Sequence, residues 1–118
     1  MATKFKEVLE KLVRDAGLEG AVLTTADGLP VESVLPANQS EERLAAMSAA
    51  TLSLGERAVF ELEKGELEQV TIKAEKGYVI LTGIGEDAVL TIMAPHDAKL
   101  GLLYLEIRKA AEELAKLL

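Results

Sequence analysis

The sequence contains no cysteine, a single histidine and very few aromatic residues. Without cysteine the chain can form no disulfide, thiol nucleophile, iron–sulfur cluster or thiolate zinc site. The single histidine, His96, excludes metal sites that need several imidazoles, including the metalloprotease motif. Aromatic residues make up 3% of the chain, so its hydrophobic core must consist of aliphatic side chains.

Positive charge is scarce relative to negative charge. The 118 residues include 13 Lys and Arg against 20 Asp and Glu, for a formal net charge of −7. Proteins that bind nucleic acids concentrate basic side chains against phosphates and stack bases on aromatic rings, so the composition argues against a nucleic-acid partner. The length predicts a single domain over residues 1–118. The absence of a signal-peptide pattern and of a long apolar run predicts a soluble, cytoplasmic protein without membrane insertion.

Both ends of the chain show the apolar periodicity of amphipathic helices. Residues 3–16 predict the first helix, and Gly17 supplies the left-handed residue that ends it. Its apolar face comprises Phe5, Val8, Leu9, Leu12 and Val13. The last helix follows Pro95, with Asp97 as its expected N-cap. Its apolar face comprises Leu100, Leu103, Tyr104, Ile107, Ala111, Leu114 and Leu118.

A β-hairpin is predicted between these helices, with strands over Gly20–Ala26 and Leu29–Leu35. The dipeptide Asp27-Gly28 favours a two-residue turn in which both central residues have positive φ. Pro30 has no N–H group and suits an edge strand. Asp27 could be a catalytic carboxylate or only the corner of the hairpin. Because no second carboxylate or histidine stands near it in the sequence, the hairpin corner is favoured.

The middle helix is predicted from Gln39 to Glu63, with Asn38 or Ser40 as its N-cap and Gly65 closing it. Between Leu44 and Leu54 it carries hardly any charge, although a helix on the outside of a small domain normally has one polar face. Its small residues are Ala45, Ala46, Ser48, Ala49, Ala50, Ser53, Gly55 and Ala58. The pattern indicates a helix covered on two sides, once by its own sheet and once by something else.

Three further strands are predicted over Glu66–Ala74, Tyr78–Ile84 and Ala88–Ala94. The first alternates polar and apolar residues as an edge strand does, whereas the other two are nearly continuous apolar runs typical of central strands. Gly83 and Gly85 form a G-x-G, but a strand follows them rather than a helix, which argues against dinucleotide binding. The order α-ββ-α-βββ-α predicts an α+β fold: a five-stranded, mostly antiparallel sheet with helices on both faces.

No combination of residues in the sequence indicates an active site. Phosphate-loop, nucleophile-elbow and EF-hand patterns are absent. Four serines could act as nucleophiles only with a base: Ser33, Ser40, Ser48 and Ser53. The one histidine, His96, lies beside Pro95, where a capping or solvent-exposed role is favoured over general-base catalysis. Arg43 and Arg57, on the middle helix, could contact an anionic partner or form surface salt bridges. The sequence therefore predicts a protein that is not an enzyme and needs no metal or cofactor.

Four segments together resemble the Roadblock/LC7 family, and within it the stand-alone prokaryotic, MglB-like members. The matching strings are EGAVLTTADGLPVES, AAMSAATLSLGERAVFELEKGELEQVTIK, GYVILTGIGEDAVLTIMA and KLGLLYLEIRKAAEEL, and they cover nearly the whole chain in the expected order. The resemblance implies the profilin-like α+β fold. It also implies a homodimer in which the third strand pairs with its two-fold mate and the middle helices lie side by side. The implied interface comprises Ala46, Ala49, Ala50, Ser53, Arg57, Gln69, Val70, Thr71, Ile72 and Lys73.

The resemblance further implies a non-catalytic regulator or platform for a small Ras-like GTPase. The expected GTPase-binding residues are an exposed apolar patch around Leu44, Met47 and Thr51, together with Arg43, which is chosen by its position on the middle helix. One alternative is a structural adaptor whose contacts do not depend on the nucleotide. Another is a small-ligand sensor, against which the aliphatic, aromatic-poor core argues.

Overall fold

The computed structural model describes residues 3–118, which fold into three helices and one five-stranded sheet. The helices are α1 (Lys4–Ala16), α2 (Glu41–Glu61) and α3 (Leu100–Leu117). The strands are β1 (Gly20–Thr25), β2 (Pro30–Val34), β3 (Val70–Ala74), β4 (Gly77–Ile84) and β5 (Ala88–Pro95). All neighbouring strands are antiparallel, in the order β2-β1-β5-β4-β3. The predicted α+β class and element order are confirmed, with β4 and β5 as interior strands.

The helices lie on both faces of the sheet. Helices α1 and α3 pack against each other on one face and bury the main core, which includes Leu9, Leu23, Leu90 and Leu114. Helix α2 packs on the opposite face over a smaller cluster of Leu52, Leu81 and Val89. Because side chains alternate along a strand, β1 and β5 contribute residues to both faces. Within residues 3–118, none of the helices combines the length and apolarity that crossing a bilayer requires.

The beginnings of α1 and α2 follow the capping rules. Thr3 caps α1 and accepts a hydrogen bond from the backbone N–H of the third helical residue, and Gly17 ends the helix with φ 64°. The predicted first helix is therefore confirmed. Of the two possible caps for α2, the structure uses Ser40 rather than Asn38, with a hydrogen bond of 3.2 Å from the backbone N–H of Arg43.

The end of α2 corrects a prediction. The helix stops at Glu61 and is closed by Glu63, not by Gly65; Glu63 takes the left-handed conformation with φ 56°. The N–H of Lys64 donates to the carbonyl of Val59 at 2.8 Å, and the N–H of Glu63 donates to the carbonyl of Phe60 at 3.1 Å. These two bonds form a Schellman motif. After this early turn the chain returns beneath α2, where Leu67 lies close to Gly55.

Helix α3 corrects a second prediction. Its N-cap is Lys99, which makes no side-chain hydrogen bond, and Asp97 does not cap the helix. A turn closed by the bond from Ala98 N–H to the Pro95 carbonyl, 3.1 Å, occupies the residues between strand and helix. Asp97 therefore lies inside the turn, too early in the chain to reach the first N–H groups of α3. His96 in the same turn is exposed, in line with a surface role.

The β1–β2 hairpin is confirmed, but its two-residue turn is not. Thr25 and Leu29 close a loop of three residues, with bonds from Thr25 N–H to Leu29 O and from Gly28 N–H to Thr25 O. Only Gly28 has positive φ, 96°, so Asp27 does not. A turn followed by one left-handed glycine is the next commonest way to match the twist of the two strands. The Asp27 carboxylate accepts a hydrogen bond from the Thr25 hydroxyl, which confirms its role as a hairpin corner.

Strand β3 is shorter than predicted, because it begins at Val70 rather than at Glu66. The carbonyl of Glu68 is bonded by the hydroxyl of Thr82 at 3.1 Å instead of by a backbone N–H of β4. Leu67 turns under α2, where it lies close to Gly55. The segment 66–69 therefore lies outside the sheet, and side-chain contacts of Thr82 and Leu67 connect it to the rest of the fold.

Candidate interaction site

An apolar groove runs between α2 and the β3 side of the sheet; we call it the α2–β3 groove. It has a volume of about 150 Å³. Its walls are formed by Leu44, Met47 and Thr51 of α2 and by Ile72 of β3. Its floor is formed by side chains of β1, β4 and β5, among them Val22, Val79, Leu81, Thr91 and Met93. Met47 and Ile72, on opposite walls, are 57% and 42% exposed, so the groove presents two large apolar side chains to water.

The residues on the buried side of α2 determine how closely the helix packs on the sheet. Ala45, Ser48 and Leu52 face the sheet, and the Thr91 hydroxyl donates to the Ser48 hydroxyl at 2.7 Å. Both hydroxyl groups are buried, and this bond gives each of them a hydrogen-bond partner. Further along, a Cβ added at Gly55 would lie 3.0 Å from the Val70 side chain. The missing side chain therefore lets the second half of α2 approach β3.

The outward side of α2 carries small and basic residues, with the 69% exposed Leu54 beside them. Ala46, Ala50, Ser53 and Arg57 are exposed, and Arg43 extends the same side toward the N-terminus of the helix. The Arg57 guanidinium lies 3.8 Å from the Glu61 carboxylate, a pair one helical turn apart on the surface. Among residues 3–118, no carboxylate lies within 4.0 Å of the Arg43 guanidinium. We call this set the outer ridge of α2; it comprises Arg43, Ala46, Ala50, Ser53 and Arg57.

The structure brings together residues that the sequence had assigned to two separate sites. Leu44, Met47 and Thr51 were expected to bind a GTPase and Ile72 to lie in a dimer interface, yet all four line the α2–β3 groove. Arg43 does not line it. The expected interface residue Ala49 is half-buried on the other flank of α2, where a Cβ added at Gly28 would lie 3.6 Å from its side chain.

The other expected interface residues lie on two surfaces, the outer ridge of α2 and the β3 edge of the sheet. Those on the outer ridge are Ala46, Ala50, Ser53 and Arg57. Four of the β3 residues, Val70 to Lys73, lie on the edge strand itself, which is hydrogen-bonded to β4 alone. Gln69 precedes the strand. Sequence patterning did not identify the floor residues Val79 and Met93, because a strand that is apolar on both faces does not reveal which face is partly open.

The residues considered for catalysis have structural partners or lie apart. Ser40 caps α2, Ser48 pairs with Thr91, and the Ser33 hydroxyl donates to the carboxylate of Glu41. Ser53 and His96 are exposed on α2 and in the turn before α3. In the part of the chain described, no three His, Asp or Glu side chains are placed to hold a metal ion.

Comparison with known proteins places this geometry in a family. The model of the family described as Roadblock/LC7 domain matches residues 4–94. The uncharacterized protein MJ1340 of Methanocaldococcus jannaschii is 32% identical over 107 residues, which cover 91% of this chain and 93% of that protein. The solved structure of Myxococcus xanthus MglB superposes with a TM-score of 0.92 at 25% identity, over 98% of this chain and 94% of that chain.

A more distant likeness concerns the fold alone. Profilin IB of Acanthamoeba castellanii superposes with a TM-score of 0.66 at 16% identity, over 95% of this chain and 97% of that chain. It supports the profilin-like architecture expected from the sequence. The family model and the M. jannaschii relative, each matching well over half of the chain, determine its classification: this chain belongs to the Roadblock/LC7 domain family.

Proposed function

We propose that this protein forms a homodimer that binds and regulates a small Ras-like GTPase in the cytoplasm, without catalytic chemistry of its own. The observation that carries the proposal is the continuity between the α2–β3 groove and the unpaired edge of β3. Together they leave Met47, Ile72 and a row of backbone N–H and C=O groups exposed on one side of the chain. The family membership and the likeness to MglB support the link to a GTPase.

In the proposed dimer, β3 pairs with β3 of the second copy in antiparallel fashion. Such a two-fold contact needs only one self-complementary surface and turns two five-stranded sheets into one. The two α2 helices then lie on the same face of the joined sheet, with their groove walls toward each other. Met47 and Thr51 of each copy would cover the groove of the other, which accounts for the apolar character of this flank.

This arrangement assigns the residues of α2 differently from the sequence-based expectation. Leu44, Met47 and Thr51 face the second copy rather than the GTPase. The GTPase contacts the outer ridges of the two α2 helices, which stay exposed after dimerisation. Of the residues first expected to bind it, Arg43 keeps that role, because its guanidinium lies on the outer ridge without an ion-pair partner in residues 3–118.

The protein would regulate the GTPase by binding one of its two nucleotide states more tightly than the other. A GTPase changes the arrangement of its switch segments between the GDP-bound and GTP-bound states. A partner that binds one arrangement more tightly shifts the equilibrium toward it by the difference in binding free energy. A tenfold difference in affinity corresponds to about 1.4 kcal/mol, a modest requirement for a surface made of two helices.

The test uses the Ras-like GTPases encoded by the source organism, purified and loaded with GDP or a non-hydrolysable GTP analogue. We expect one of them to bind with affinities that differ at least about tenfold between the two states by calorimetry. Arg43→Ala should weaken that binding, while Arg108→Ala on exposed α3 serves as the matched control. The rate of GTP hydrolysis with and without the protein then distinguishes activation from inhibition.

The outcomes separate the alternatives. Equal affinity for both nucleotide states would favour the structural adaptor, whose contacts ignore the nucleotide. Failure of every encoded Ras-like GTPase to bind the dimer would overturn the proposal. Arg43→Ala and Arg108→Ala variants that weaken binding equally would contradict the assignment of the outer ridge.

A further inference from the structure

A second cleft lies beneath the C-terminal half of α2, where the β1–β2 hairpin and the β4–β5 turn meet; we call it the C-terminal cleft. Its volume is about 560 Å³, and it shares no lining residue with the α2–β3 groove. Leu52 and Val89 form part of its lining and belong to the small core cluster under α2. Part of the cleft lining is therefore buried in the core of the fold.

An aromatic side chain stands at this cleft. Phe60, in the last turn of α2, is 79% exposed, more than any other large hydrophobic residue in the described part of the chain. The apolar side chains of Val59 and Leu67 lie beside it in the lining. A phenylalanine left in water forgoes the free energy that burial would supply. Aromatic side chains, phenylalanine among them, are enriched at protein interfaces, where they act as anchors in pockets of the partner.

The charged side chains of the C-terminal cleft all have the same sign. Its ionisable lining residues are Glu56, Glu66, Glu68 and Glu86, and among residues 3–118 no Lys, Arg or His lines it. Within residues 3–118, none of these four carboxylates is in an ion pair, as is true of most acidic residues of this chain. The cleft differs instead from three other surface clefts, whose linings include the basic residues Arg108, Lys109 or Lys99.

Helix α2 adds negative potential at the same place. The C-terminal end of a helix carries a partial negative charge, which basic residues in the last turn usually offset. The last turn of α2 contains none. Since Phe60 belongs to that turn, the aromatic ring and the negative end of the helix lie next to each other. The exposed aromatic ring and the negative charge therefore favour one kind of occupant, a cationic segment with an apolar side chain.

We propose that the C-terminal cleft binds a lysine- or arginine-rich segment of a partner protein, with one apolar residue of that segment packed on Phe60. Along α2 the cleft extends from Leu52 to Phe60, about 12 Å of helix. That distance accommodates about four residues of extended chain. This binding site goes beyond the proposed GTPase regulation, and it can be tested on the isolated protein.

The experiment uses a fluorescein-labelled peptide, KKLKKFKK, titrated with the protein at low salt and followed by fluorescence anisotropy. The variant Glu66→Gln/Glu68→Gln/Glu86→Gln removes three charges from the cleft. The matched control, Glu10→Gln/Glu112→Gln/Glu113→Gln, removes three charges from exposed positions on α1 and α3. We expect the cleft variant to bind about fivefold more weakly or worse, and the control to change affinity by less than about twofold.

A second pair of variants tests the aromatic anchor. Phe60→Ala should weaken binding of KKLKKFKK by at least threefold and have little effect on the apolar-free peptide KKGKKGKK. Leu102→Ala, at a residue of α3 that is 62% exposed, should affect neither peptide. Circular dichroism of every variant verifies the fold. Equal loss of affinity in both triple variants would overturn the proposal, as would backbone amide shifts from the peptide that spread over all acidic surfaces instead of clustering around the cleft.

Discussion

Strands β2 and β3 are the two edges of one sheet, but only β2 is protected against pairing with another chain. Strand β2 begins with Pro30, which has no N–H group to offer, and its register with β1 shifts between Leu23 and Thr24. The Nζ of Lys6 donates to the Ser33 carbonyl at 2.5 Å, so a side chain of α1 occupies part of this edge. Proline, bulges and nearby lysines are common means of blocking an edge strand.

Strand β3 has none of this protection. It contains no proline, its pairing with β4 runs from Val70 to Ala74 without a register shift, and all but its first residue are exposed. The Thr71 hydroxyl lies 3.1 Å from the Tyr104 hydroxyl of α3, which fixes one face of the strand and leaves the edge free. With one edge of the sheet blocked and the opposite edge unprotected, β3 is the edge available for pairing with another chain, which we propose is β3 of a second copy.

The largest effect is expected from a charge placed on the free edge. In Ile72→Asp, the proposed dimer would bury two carboxylates without counter-ions, and the dimer dissociation constant should rise at least about hundredfold. Analytical ultracentrifugation over a range of concentrations measures it. Val31→Asp is the matched control on β2, because Val31 is 38% exposed and Ile72 is 42% exposed. The comparison fails if Ile72→Asp remains as dimeric as the Val31→Asp control.

A smaller effect is expected on the flank of α2 that faces β3. Met47→Glu places a charge on the wall of the α2–β3 groove and should weaken the dimer by about tenfold, equivalent to about 1.4 kcal/mol. Ala46→Glu places the same charge on the outer ridge and should leave dimerisation unchanged. Light scattering on both variants distinguishes the two flanks. If Ala46→Glu dissociates the dimer and Met47→Glu does not, the interface residues first expected from the sequence are the better assignment.

The smallest effect is expected at the protected edge. Lys6→Ala removes the hydrogen bond to the Ser33 carbonyl and a partly exposed ion pair with Glu32, 3.8 Å long. The free energy of unfolding should fall by about 1 kcal/mol, nearly all of it from the hydrogen bond. Thermal unfolding followed by circular dichroism measures it, with Lys11→Ala on the exposed side of α1 as control. A loss no larger than that of the control would show that Lys6 does not secure β2.

The sequence predicted the elements of this fold well where one local rule applied. Apolar periodicity gave α1 and the C-terminal helix, Gly17 marked the end of α1, and two nearly continuous apolar runs marked the interior strands β4 and β5. The sequence-based prediction was wrong at the end of α2, where the local propensity and the tertiary packing favour different residues. Gly65 is a better helix terminator than Glu63 by propensity, but the packing of Leu67 against Gly55 requires the earlier turn.

The candidate interaction site was predicted less completely, because its residues come from distant parts of the chain. The sequence singled out the uncharged middle of α2 and the alternating strand β3 as surfaces in need of a partner. It could not show that Met47 and Ile72 form opposite walls of one groove, nor that Ala49 is taken up by the hairpin at Gly28. Helical periodicity gives the angle between two residues on α2 but not the direction of the sheet beneath them.

The sequence by itself determined the element order, the aliphatic core, the hairpin corner at Asp27 and the family resemblance. Each of these follows from composition or from patterns that can be read along the chain, without knowing which segments meet. Only the tertiary structure decided which edge strand is protected and which flank of α2 faces β3. It also placed Phe60 beside four unpaired glutamates from three separate segments. These features arise where separate segments of the chain meet, and the pattern along one segment does not specify which other segment will cover it.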